Sequence, residues 1–324
     1  MAVPSNTVTA HVAIGNKEDL ADVIFDISPT ETPFLTMAMK NTASNVYHEW
    51  QTDSLEAAGA NRAADGDDAA ANTHTPSVRV GNYCQISRKT VQVSGTQRAS
   101  NPAGRADELS YQIAKRGKEL KRDMEYALTR NQASSAGGVG ETARSLASLE
   151  SWIATNKTTV GTTAATATTP GFATGVVAAP TDTTTQGTIT EAILKSVIQQ
   201  VWSAGGEPGT ILVGPVTKQK ISGMAGIATQ YRDNQQVGPG VIIAAADIYV
   251  SDFGQHSIVP SRFSRERTAL ILDMDYWGVS FLRNITREPL AKTGDSDKEM
   301  LLVEYTLESK NQAASGKITD ITSV

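Results

Sequence analysis

Residues 101–131, NPAGRADELSYQIAKRGKELKRDMEYALTRN, carry an unbroken helical pattern, and a rod of that length limits what the rest of the chain can build around it. Asn101 suits an N-cap and Pro102 the first helical position, where a missing N–H costs nothing and φ is already helical. Leu109, Ile113, Gly117, Leu120, Met124 and Leu128 recur at steps of three or four and form one narrow apolar stripe. Lys115, Lys118, Lys121 and Glu125 are expected outside it, with Lys115–Glu119 and Lys121–Glu125 as favourable pairs. Each pair adds only about 0.2–0.5 kcal/mol, so burial of the stripe must supply most of the stability. At 1.5 Å per residue the predicted element is on the order of 45 Å long. Such a rod suits a subunit that tiles beside others; a core helix of an ordinary enzyme fits this stretch equally well.

With 324 residues the chain is long enough for two domains and a sizeable core. A single cysteine, Cys84, excludes an intrachain disulfide, and no Cys/His cluster has zinc spacing. The N-terminal residues show no basic segment followed by an apolar run, and nowhere do eighteen apolar residues follow one another, so neither secretion nor a membrane span is expected. The net charge of −5 provides no broad electrostatic footprint for nucleic acid.

Residues 1–45 read as an extended arm with a short amphipathic helix at Leu20, Val23, Ile24 and Ile27, and Pro29 and Pro33 rule out a longer one. Residues 46–51 alternate as a strand, with Val91 and Val93 of KTVQVSG as the expected partner. The small, polar stretch between them makes 46–97 a protruding β-excursion. Its clustered Asp65, Asp67 and Asp68 lack the spacing of a calcium loop. Leu146, Leu149, Trp152 and Ile153 form a short amphipathic helix, and the Thr/Ala/Gly-rich residues 154–187 read as a surface insertion. Thr188 and Glu191 form a capping box for a helix with Ile193, Leu194, Val197, Ile198, Val201 and Trp202 on its apolar face, stopped at Gly205-Gly206. A strand at Thr210–Gly214, a helix at Val216–Met224 and a strand-rich run at Val241–Val250 complete an α+β unit. Residues 269–272, 277–281 and 301–307 read as antiparallel strands returning to the first sheet.

Motifs for chemistry are isolated. Asp252-Phe253-Gly254 lacks every companion of a kinase site and fits a turn between strands. Lys317 follows Ala-Ala-Ser-Gly, but the first glycine of a phosphate loop is missing and Ile318 stands where Ser or Thr is needed. Gly138, Gly140 and Ala143 follow a helix instead of the strand that a dinucleotide fingerprint requires. The four histidines are scattered, so no catalytic, cofactor or metal site is expected.

Several stretches, taken in order, resemble one family: GNKEDLADVIFDISPTETPF, YHEWQTDSL, KELKRDMEYAL, IYVSDFGQHSIVPSRF and LAKTGDSDKEMLLVEYTLESKNQAA. They are similar to the major capsid proteins of tailed bacteriophages, of the α+β fold shared by phage and herpesvirus shells and first named for a Hong Kong phage. The resemblance covers nearly the whole chain outside the Thr/Ala/Gly tract. It implies an N-terminal arm at 1–45, an extended β-loop at 46–97, a peripheral domain at 98–157 with its spine helix at 101–131, an insertion at 158–187, an axial domain at 188–258 and peripheral return strands at 259–324. It also implies a shell protein that assembles as hexamers and pentamers around double-stranded DNA, with a separate scaffolding protein, a portal and a decoration protein as partners. Candidate subunit contacts are Trp50, Tyr47, Tyr83 and Arg88 of the excursion, and Leu20 and Ile24 of the arm. Trp50 has a competing reading in the subunit's own core. An encapsulin with enzyme cargo, an α+β enzyme and a trimeric fibre or tail protein are the alternatives.

Overall fold

The computed structural model describes residues 29–62, 65–66, 68, 74, 76–100, 106–138, 143–161, 177–224 and 247–322. Leu20, Ile24, Asn101 and Pro102 lie outside the described residues.

The spine helix α3 runs Glu108–Thr129, with Asp107 as its N-cap. The Asp107 carboxylate accepts from Leu109 N at 3.4 Å and Ser110 N at 3.1 Å, placing negative charge at the positive end of the helix dipole. The expected start at Asn101 is thus corrected, and 22 residues give a rod of about 33 Å instead of 45 Å. Leu109, Leu120, Met124 and Leu128 are buried, while Lys115, Lys118 and Lys121 are exposed as expected. Glu125 departs from the pattern. It is fully buried, and its carboxylate accepts the backbone N–H groups of Phe34 and Leu35 at 3.0 and 2.8 Å. Those donors open α1 (Pro33–Met37), a separate five-residue helix with Pro33 at its first position. Residues 33–43 therefore belong to the body of the subunit: Phe34 is buried against α3, and β1 (Met39–Thr42) pairs in parallel with β10 (Trp277–Pro289).

A four-stranded sheet has the order β1-β10-β11-β4, with β4 at Gln85–Ser94 and β11 at Ser296–Ser309. Val91 and Val93 lie on β4 and pair with β11, not with residues 46–51. The partner of β2 (Tyr47–Thr52) is β3 (Val78–Tyr83), in the register Tyr47↔Tyr83 and Trp50↔Val80. The excursion is thus a two-stranded ribbon, and the chain returns to the main sheet at Gln85, running through β4 into the short helix α2 (Gly95–Ala99).

The second sheet has six strands in the order β5-β12-β9-β6-β8-β7, which are Asn156–Thr159, Gly316–Thr319, Ala269–Leu272, Thr210–Val213, Gly254–Pro260 and Ile248–Ser251. The expected return strands are therefore divided: β10 and β11 join the first sheet, whereas β9 and β12 complete the second. Alternation along β6 and β9 splits the core. Leu212, Leu270 and Leu272 pack with α3, Trp152 of α4 (Leu149–Trp152) and Trp277; Ile211, Val213, Ala269 and Ile271 pack with α5 (Glu191–Ser203) and α6 (Pro215–Ser222). Thr190, not Thr188, caps α5, with Oγ1 accepting from Ile193 N at 3.4 Å. The helix stops at Gly205, whose φ of +93° suits a residue without Cβ, as Gly206 N donates to Val201 O at 3.0 Å.

The Thr/Ala/Gly tract is less separable than its composition implies. Thr158 and Thr159 are part of β5, which pairs with β12; Val177 is in the first core, and Asn131 donates to Pro180 O at 2.7 Å. Deleting 157–186 would remove most of an edge strand and these anchors, so the tract is not a plain surface insertion.

Candidate assembly surfaces

The ribbon base is fastened to its own subunit. Trp50 Nε1 donates to Ser309 O at 2.7 Å, and its ring centroid lies 5.4 Å from that of Trp152, so the half-buried indole extends the first core. Beside it, His48 Nε2 lies 3.4 Å from Glu308, whose carboxylate also accepts from Asn41 Nδ2 at 2.9 Å and Ser280 Oγ at 2.8 Å. The hydrogen bond to His48 leads in pushing the Glu308 carboxyl down to about 2, helped by Asn41 and Ser280 and opposed by burial. Asn82 is fully buried and donates to Ala147 O at 3.1 Å and Leu307 O at 2.9 Å, while Oδ1 accepts from Ala147 N at 2.9 Å and Tyr83 N at 3.0 Å. Tyr47 and Tyr83 form a cross-strand aromatic pair with centroids 4.7 Å apart. Gly81 allows that packing, since a Cβ there would lie 2.7 Å from both His48 O and the Tyr47 ring.

Beyond the base the chain changes character. Residues 53–62 are all exposed, and their hydrogen bond is local, from Ser54 N to Asp53 at 2.9 Å. Leu55 is 98% exposed, a branched apolar side chain with no cover among the described residues. Arg88 is exposed on β4, away from this loop, where neighbouring Lys89 ties the strand to α3 by a 2.7 Å ion pair with Asp123. The structure thus gathers Tyr47, Trp50 and Tyr83 at the ribbon base, and sets Arg88 apart on the edge of the first sheet.

The buried charges serve as joints. Glu150 accepts from Arg265 Nη1 at 3.0 Å with both oxygens and from Thr268 Oγ1 at 3.0 Å, while Arg265 Nη2 reaches Asp182 at 2.5 Å. Lys317 is buried on β12 and donates to Glu150 O at 2.6 Å, so it offers nothing to a phosphate. Burial pushes its ammonium down to about 8 against the opposing pull of Glu150. Ser251 Oγ lies 2.6 Å from His256 Nε2, which has the outline of a nucleophile and base. However, His256 Nδ1 is held by Pro208 O, and Ser251 Oγ accepts from Phe253 N at 3.1 Å, so the pair braces the β7–β8 hairpin. Burial lowers the His256 pKa and keeps its imidazole neutral near pH 7. Among the described residues no group of three His, Cys, Asp or Glu side chains could hold a metal ion, and no helix is long and apolar enough to cross a membrane.

A surface not anticipated lies where α5 meets that hairpin. Trp202, expected on the buried face of α5, is 54% exposed and packs on Phe253 with ring centroids 5.1 Å apart. Asp252 and Phe253 form a two-residue turn in which the aromatic side chain has little core to enter. The recognisable signal was Phe253 at a turn, in the motif read as Asp-Phe-Gly.

The model of the SU10 major capsid protein family matches residues 4–322. A major capsid protein of Escherichia phage Phieco32 is 28% identical over 329 residues, covering 93% of each chain. Among solved structures, the cyanophage A-1(L) capsid asymmetric unit is similar with a TM-score of 0.62 at 15% identity, covering 97% of this chain and 98% of that one. A Mycobacterium phage Adephagia chain is similar with a TM-score of 0.61 at 13% identity, covering 98% and 99%. The SrpI encapsulin of Synechococcus elongatus has a TM-score of 0.52 at 10% identity, covering 95% and 93%. At these identities the structural likenesses show a common fold, which phage capsid proteins and the encapsulin share.

Proposed function

Because this chain belongs to the SU10 major capsid protein family, and is a phage structural protein of the virion, we propose that its copies form hexamers and pentamers that close into an icosahedral shell around double-stranded DNA. The observation that carries the reading is residues 53–62: they follow a well-fastened ribbon and are exposed throughout, with no packing against the other described residues. A two-stranded ribbon is marginal in water, and a loop with a bare leucine gains stability only against another molecule. A neighbouring copy supplies that surface in a shell. The first sheet with α3 corresponds to the peripheral domain of this proposal, and the second sheet with α5 and α6 to the axial domain.

Assembly takes place in the host cytoplasm with a separate scaffolding protein and a portal; a decoration protein, named beside a capsid protein in a phage G structure of this fold, is a further partner. Packaged DNA is confined instead of gripped, in keeping with the net charge of −5. Tight binding of DNA by free subunits at physiological salt, with a steep salt slope, would contradict this. Sedimentation and negative-stain imaging of the full chain, alone and with its scaffold, test the main proposal. Closed shells with five- and six-fold capsomers are expected, and a stable compact monomer under every scaffold and salt condition would refute it.

A further inference from the structure

We propose that Asp53 and Asp65 in the excursion are sites of spontaneous covalent change, converting to isoaspartate through a succinimide, while Asp295, with the same following residue as Asp53, is spared by its structure. The inference does not depend on the shell reading, since the reaction needs only the chain and water.

In this reaction the backbone nitrogen of the following residue attacks the side-chain carbonyl carbon of a neutral aspartic acid. An N–Cγ bond forms, the amide proton and the carboxyl hydroxyl leave as water, and a five-membered imide remains. Water then opens the ring. Cleavage of the bond from nitrogen to the main-chain carbonyl frees an α-carboxylate and routes the backbone through Cγ, which is isoaspartate; cleavage of the N–Cγ bond restores aspartate. No oxidant, reductant or second reactant is consumed. A small following residue speeds the attack because it leaves the backbone free to carry its nitrogen onto Cγ. Asp65-Gly66 is the one Asp-Gly pair in the sequence, no Asn-Gly pair occurs, and the two Asp-Ser pairs are 53–54 and 295–296.

All three aspartates are exposed, so access to water does not separate them. What separates them is the hold on the attacking nitrogen. Ser54 N donates to Asp53 Oδ1 at 2.9 Å, which already sets the nitrogen beside the carboxyl group it must attack. The residues that follow are exposed as far as 62, so little resists the small rotation that remains. Gly66 has a φ of +80° and open space around its Cα, and neither it nor Asp65 is hydrogen-bonded to another described residue.

At the third site the nitrogen is engaged elsewhere. Ser296 N donates to Gly294 O at 2.9 Å, and Asp295 O accepts from Gly95 N at 3.1 Å. Ser296 opens β11 opposite Ser94 of β4, and its Oγ accepts from Gln92 Nε2 at 2.9 Å. The Asp295 carboxylate rests against Gly95, where a Cβ would not fit. Bringing Ser296 N onto the Asp295 side chain would therefore break the margin of the first sheet. The same Asp-Ser pair is free to react in the excursion and locked at the sheet.

The test incubates the full folded chain at mildly acidic to neutral pH and maps isoaspartate in its peptides by mass spectrometry after labelling with an isoaspartyl methyltransferase. Isoaspartate should form fastest at position 65, and at position 53 at least about ten-fold faster than at 295. In urea, where both Asp-Ser pairs lose their structure, the rates at 53 and 295 should converge. Equal rates at 53 and 295 in the folded chain, a difference that persists in urea, or no isoaspartate at 65 would overturn the inference. Gly66→Val should slow the change at 65 at least about ten-fold while leaving the rate at 53 as it was, because a branched side chain hinders the attack. An undiminished rate at 65 in that variant would overturn the succinimide route.

Discussion

The two halves of the β-excursion stand in opposite relations to the subunit. At the base, Trp50 reaches Ser309 O at 2.7 Å and Asn82 makes four hydrogen bonds to backbone groups; a few residues further on, Leu55 is 98% exposed and, among the described residues, the loop's hydrogen bonding is local. Continuity along the sequence therefore says little about where a residue's stabilising partners lie. The base is part of the folded monomer, and the tip is surface prepared for something else. Substitutions in the two halves should accordingly separate folding from assembly.

Asn82→Ala should have the largest effect on folding, about 3–4 kcal/mol by chemical denaturation, because it leaves carbonyls of Ala147 and Leu307 buried without donors. Trp50→Ala should cost about 2–3 kcal/mol, less than a fully buried tryptophan, and should lower the melting temperature while the folded fraction still assembles. An unchanged melting temperature with lost assembly would place Trp50 in the shell contact instead.

Glu308→Gln should cost about 1–2 kcal/mol at neutral pH through weaker hydrogen bonds to His48, Asn41 and Ser280. The folded carboxyl is held down at about 2 from the usual 4.5, so its contribution is complete above the unfolded value and is lost as pH falls through this window. The variant should therefore show a shallower acid limb in a pH series of melting temperatures. The smallest effect on folding belongs to the tip: Leu55→Asp should change subunit stability by no more than about 0.5 kcal/mol, yet reduce particle yield. Normal particle yield from this variant would show that Leu55 makes no shell contact.

Much of this fold could be read from local pattern. The stripe of α3, most of the face of α5 and the presence of a strand at β11 are set by neighbours within a few residues, and they lie where the sequence predicts, although β11 is buried on both faces from Leu301 to Ser309 instead of alternating. What escaped depends on distant partners. Glu125 resembles a surface charge because the N–H groups it caps belong to Phe34 and Leu35, about ninety residues earlier. Val91 and Val93 suit a ribbon leg as well as they suit β4, and only the presence of β11 decides between them. Similarly, β9 and β12 carry no local mark of which sheet receives them. At the candidate surfaces, Trp50 could be recognised as an aromatic needing cover, but not as one covered by Trp152. Trp202 stands four residues after Ile198 and so matched the buried face of α5, whereas it lies at the margin of the core and meets Phe253.

Hydrogen exchange on the same protein, free and assembled, tests the division between base and tip most directly. Amides of β2 and β3 should be protected in both states, whereas those of residues 53–62 should exchange freely in the subunit and slow by at least about ten-fold in the shell. Equally fast exchange of residues 53–62 in closed shells would contradict the account.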